Sequence, residues 1–134
     1  MCWILYGCVN KGTNESALEA LNKQYDFFFS IGTAHQIKTA VREMTYECRV
    51  TDWACDCNSS VGRGDTETED IEKLSCYLWD LQEVEGFEQI SLAKCWRDKC
   101  KGGTKSLKVC TRDIPQMLAD LEENMVHIIS IKSA

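Results

Sequence analysis

The sequence predicts an α+β domain built on an antiparallel sheet, and three observations carry that expectation. Short apolar or period-two runs alternate with stripes of apolar residues spaced three and four apart, so strands and helices both recur along the chain. From residue 45 to residue 131 these segments follow the order βαββαβ, the element order of a ferredoxin-like layer, and a β-α-β-α extension precedes them. At 134 residues, 44% hydrophobic and 27% charged, the chain suits one domain, 1–134, with a core of its own.

Residues 2–9 are apolar on both faces and brief, which fits a buried strand. Asn14 stands as an N-cap before Leu18, Leu21, Tyr25 and Phe28, giving a helix over about 15–26. Phe27 to Ile31 reads as a short aromatic strand ended by Gly32. Thr33 and Gln36 form a capping box, and Ile37, Ala40, Val41 and Met44 form one stripe, so a second helix is expected over 34–44. Thr45 to Thr51 alternates as a half-buried strand, and a long polar loop follows to Asp65. Thr66 and Glu69 make another capping box ahead of Ile71, Leu74, Leu78 and Leu81, with Gly86 expected as the C′ stop of that helix. Residues 88–96 and 105–111 read as two strands of a hairpin whose loop is rich in Lys and Gly. Asp113 opens a last helix with Pro115 in its first turn, and Met125 to Ile131 closes the chain as a buried strand.

The chain carries a net charge of −6, but unevenly. Between Lys94 and Arg112 seven basic residues face one acid, Asp98, whereas nine acids face only Lys73 between Asp65 and Glu88. The acidic total argues against nucleic acid as a partner. The basic hairpin (Lys94, Trp96, Arg97, Lys99, Lys101, Lys105) is read as complementary to the acidic helix, within one chain or between two. No segment approaches the ~18 apolar residues of a membrane helix, and the N-terminus lacks a basic region ahead of its apolar run, so no membrane partner and a cytoplasmic location are expected.

Nine cysteines are the chemical anomaly. A reducing compartment makes them thiols, and an odd number cannot pair completely. In the strand 88–96, Cys95 points away from Ile90 and Leu92; in the strand 105–111, Cys110 points away from Leu107 and Val109. Paired as a hairpin, both thiols leave one face, with Cys100 in the loop between them. A tetrahedral zinc ion needs four such ligands, and Cys55 or Cys57 supplies the fourth, so zinc is the expected cofactor and Cys55, Cys57, Cys95, Cys100 and Cys110 the candidate ligands. Unlinked reduced thiols are the plainer reading of the same set. Cys55 and Cys57 alone, one residue apart in a loop, also suit a strained and reducible disulfide.

Cys2 ahead of an apolar strand resembles the start of class II glutamine amidotransferases. That resemblance implies a nucleophilic role for Cys2 once Met1 is removed, although no matching oxyanion segment follows; as a strand residue beside Ile4 it needs no such role. His35 lies on the polar side of its helix, and His127 in an apolar strand is expected to be a hydrogen-bonded core residue. Cys76 and Trp79 lie off the Ile71/Leu74/Leu78/Leu81 stripe, beside Glu72 and Glu83, and so mark a second packing surface suited to a homo-oligomer contact. No phosphate loop, dinucleotide fingerprint, serine elbow or HExxH motif is present, and no catalytic residue is assigned.

Overall fold

A computed structural model describes residues 3–31, 44–49, 59–96 and 103–132. The strands are β1 (Trp3–Asn10), β2 (Phe28–Ile31), β3 (Met44–Arg49), β4 (Ile90–Trp96), β5 (Thr104–Cys110) and β6 (Val126–Lys132). The helices are α1 (Glu15–Gln24), α2 (Glu69–Leu81) and α3 (Ile114–Ala119), the last entered through a 3-10 turn at Thr111–Asp113. The α+β class holds. The helix expected over 34–44 and the loop from Asp52 to Asn58 lie outside the described residues. No helix among the described residues is long and apolar enough to cross a membrane.

One six-stranded sheet has the order β2-β3-β1-β4-β6-β5. Every ladder is antiparallel except β5 with β6. This departs from the expected pairing in two ways. The chain order over residues 44–132 still runs β3 α2 β4 β5 α3 β6, but β4 and β5 form no hairpin, because β6 lies between them. β1 is an interior strand, flanked by β3 and β4, rather than an extension at the edge. Composition accounts for both placements. β6 (Val-His-Ile-Ile-Ser-Ile-Lys) and β1 are apolar on both faces and take interior positions. β5 carries Lys105 and Lys108, which an edge strand tolerates. The connection from β5 to β6 spans Thr111 to Met125 and holds α3, long enough for the crossover that parallel neighbours require.

All three helices pack on one face. Leu5, Val9, Ile90, Leu92 and Ile129 of the sheet meet Leu18 and Leu21 of α1, Ile71, Leu74, Tyr77, Leu78 and Leu81 of α2, and Ile114, Met117 and Leu118 of α3. The opposite face is buried as well: Cys8, Ala93, Cys95 and Val126 form a second cluster, with Tyr6 and Ile128 against it. Lys94 does not belong to a basic surface. It pairs with Leu5 on the helix-bearing face, is 2% exposed, and its Nζ donates to the carbonyls of Ser59 (3.3 Å) and Val61 (3.0 Å). That ammonium fixes the entrance to the α2 approach, where the Ser60 N–H also donates to Asp70 Oδ2 at 2.6 Å.

The ends of β1 and β4 are tied by Asn10. Its Nδ2 donates to the Gly86 carbonyl (2.8 Å), and its Oδ1 accepts from the Glu88 N–H (2.8 Å), the Gln89 N–H (3.2 Å) and the Thr13 hydroxyl (3.1 Å). Gly86 has φ +81° and sits so near the Gly12 carbonyl that a Cβ would collide with it. It therefore shapes the turn after α2 rather than acting as the C′ residue; α2 stops at Leu81, with Gln82 as its C-cap.

Candidate functional site

The α2 helix buries Ile71, Leu74, Tyr77, Leu78 and Leu81, so its 3.6-residue period turns Ser75, Cys76, Trp79 and Asp80 to one flank. That flank is one wall of a surface groove of about 470 Å³. The other wall is Thr111, Arg112 and Pro115, presented by the 3-10 turn and the start of α3. Tyr25 lines it from the end of α1. Trp79 is 56% exposed, the single exposed large hydrophobic side chain among the described residues. Cys76 and Arg112 are exposed as well, and among the described residues Arg112 makes no ion pair.

Tyr25 is held from below and from the side. Its ring stacks on Phe27 (5.8 Å between centroids) and meets Tyr77 edge-on (5.5 Å), and Phe27 meets Tyr77 at 4.9 Å. Asp26, at φ 58°, turns the chain so that Tyr25 and Phe27 both reach this cluster. Beneath it the Tyr77 hydroxyl donates to buried Asn22 Oδ1 at 2.5 Å. The Tyr25 hydroxyl donates to Asp80 Oδ2 across the groove floor. Burial first, then the Asp80 hydrogen bond and charge, push the Tyr25 phenol up to about 12. The phenol is thus fixed in its protonated form, a hydrogen-bond donor rather than a base. The Tyr25 and Tyr77 hydroxyls are hydrogen-bonded, whereas the buried Ser75 Oγ on the groove wall has no hydrogen-bond partner among the described residues; the rim offers an indole, a thiol and a guanidinium.

Of the five thiols expected to converge, the described residues include Cys95 and Cys110, and these two lie apart. Cys95 and Cys110 do face the side away from the helices, as strand alternation indicates. Cys95, however, lies level with Asn124, whose N–H donates to the Lys94 carbonyl, while Cys110 pairs with Lys132 at the far end of β6. At about 3.3 Å per residue the two are separated by roughly 26 Å along the sheet. The hairpin that would have joined them is absent because β6 intervenes. Cys95 is fully buried in the second cluster, and Cys110 is half-buried. Cys55, Cys57 and Cys100 lie outside the described residues, as does His35. Among the described residues no three His, Cys, Asp or Glu side chains gather to hold a metal ion. Cys76 and Cys110 are free thiols.

His127 is buried, and its Nε2 accepts from the Glu122 N–H at 3.3 Å. Cys76 and Trp79 lie where the helical period sets them. Tyr25, Asp80, Thr111, Arg112 and Pro115 complete the groove, and no local pattern marks them, since only the packing of α1, α2 and α3 brings them together. Set beside known proteins, the chain matches no family model, no curated protein and no solved structure.

Proposed function

We propose that the protein is a non-enzymatic interaction module that self-associates through the Trp79 groove. The observation that carries this reading is Trp79 itself, more than half exposed on a helix whose other large apolar residues are buried. Covering the exposed part of an indole removes roughly 100 Å² of apolar surface, worth about 2.5 kcal/mol per copy before the cost of association.

A second copy suits the rim. One wall carries Arg112 and the other carries Asp80, with Glu72 exposed on the same helix and Glu83 exposed just past its end. In a two-fold pair each patch meets itself inverted, so one protomer's Arg112 faces its partner's acidic helix and the two indoles meet near the axis. The groove is small against the ~800 Å² per partner of a standard interface, so the dimer is reversible and concentration-dependent. Free thiols at Cys76 and Cys110 suit a reducing compartment, consistent with a cytoplasmic setting.

Sedimentation velocity across a concentration series tests the reading. The wild-type protein is expected to shift from monomer to dimer. Trp79→Ser and Arg112→Glu are expected to weaken the dimer at least about tenfold while leaving the unfolding midpoint nearly unchanged. A wild-type protein that stays monomeric at the highest soluble concentration overturns it.

A further inference from the structure

The lysine-bearing strand β5 ends the sheet, and its outer side has no neighbour among the described residues. The Val126 N–H donates to the Gly103 carbonyl at 3.2 Å, which sets the phase of the parallel ladder. In that phase Lys105, Leu107 and Val109 exchange hydrogen bonds with β6. The N–H and C=O groups of Thr104, Ser106, Lys108 and Cys110 therefore point outward. Thr104, Ser106 and Lys108 are exposed.

Beside this edge runs a groove of about 420 Å³ between β5 and α3. Leu107 and Val109 of the strand and Met117 of the helix line it, together with the polar residues Lys105, Asp113 and Asp120. The other face of β5 has a different character. Lys108 is exposed there, and Lys132, also exposed, stands on β6 directly beside Cys110. Among the described residues neither lysine makes an ion pair, whereas Lys105, on the groove side, reaches Glu122 at 3.6 Å.

We infer that β5 accepts an extended peptide of another protein as a seventh strand, and that the peptide alternates apolar with acidic residues. Strand addition uses the outward backbone groups for affinity and the two faces for selection. Apolar side chains on one face enter the β5–α3 groove against Leu107, Val109 and Met117; acidic ones on the other meet Lys108 and Lys132. The charge pattern rejects a second copy as the occupant. β5 holds no acid, so a copy laid along the same edge brings two further lysines and no counter-charge. This surface is separate from the Trp79 groove, and the inference stands whether or not the protein dimerises there.

The experiment uses the full chain and a fluorescent, end-blocked peptide as long as β5 in which Glu and Val alternate, read by polarisation. The expected result is saturable binding that weakens with salt. A peptide with Lys in place of every Glu, or with N-methyl groups on alternate amides, is expected to bind at least about tenfold more weakly. On the protein side Lys108→Glu weakens binding by a similar factor. Ser106→Pro removes an outward N–H that β6 does not use, so it blocks binding while circular dichroism and the unfolding midpoint stay near wild type. Absence of binding by the acidic peptide, equal binding of the basic peptide, or indifference to N-methylation overturns the inference. Trp79→Ser should leave peptide binding unchanged, which separates a failure here from a failure of the dimer.

Discussion

Asn10 shows how much one side chain can hold in this molecule. Its amide satisfies the Gly86 carbonyl and the N–H groups of Glu88 and Gln89, all more than seventy positions along the chain. Asn10→Ala leaves those groups short of partners in a nearly closed site and is expected to cost about 2–4 kcal/mol, measured by urea unfolding with an unchanged slope. Nothing adjacent to Asn10 announces this role, because its partners are distant. Asn14 is the contrast: its cap bond to the Ala17 N–H, 2.9 Å, is local and legible from the spacing alone. His127 gives a pH signature. Burial pushes its imidazole below the ordinary value of 6.5, with the Glu122 charge pulling the other way. The unfolded chain therefore binds a proton near that value while the folded chain does not. Stability is complete above 6.5 and declines as the pH falls below it toward the lowered folded value. His127→Gln keeps an acceptor for the Glu122 N–H and is expected to flatten that part of the profile, checked by unfolding at about pH 7.5 and about pH 5.

At the scale of elements, α2 was the most readable part of the chain. Its stripe of Ile71, Leu74, Leu78 and Leu81 is buried as the period demands, and Cys76 and Trp79 fall outside it. Leu78→Ala is accordingly expected to cost about 2–5 kcal/mol and Cys76→Ser less than about 0.5 kcal/mol in the same unfolding assay. The strands were readable one at a time and unreadable as a set. Alternation placed Cys95 and Cys110 on the face away from the helices, and they are there. Chain order then suggested that β4 and β5 pair, but a sheet is sorted by which strands tolerate burial on two faces. The apolar β6 displaced the lysine-bearing β5 from β4. Lys94 departs from the basic surface expected of it for a related reason. It lies in a basic stretch, yet its phase with Leu92 and Ile90 sets it on the helix-bearing face, where carbonyls replace water around its ammonium.

For the whole molecule, the uneven charge resolves into two surfaces rather than one. The acidic α2 borders a groove whose opposite wall carries Arg112, and the lysines of β5 line a sheet edge well separated in the strand order from β2. The α+β class was legible because it depends on element types. The site was legible only at Cys76 and Trp79, because a groove between three helices depends on which faces meet. The excess of cysteines acquires a different meaning in this setting. Cys8 and Cys95 lie fully buried in the second cluster, whereas Cys76 is exposed on α2. An alkylating reagent therefore meets Cys76 at once but reaches the other two only when the sheet opens. Peptide-resolved labelling rates, with Cys76 as the internal reference, convert these buried sulfurs into clocks for how often and how far the native state breathes.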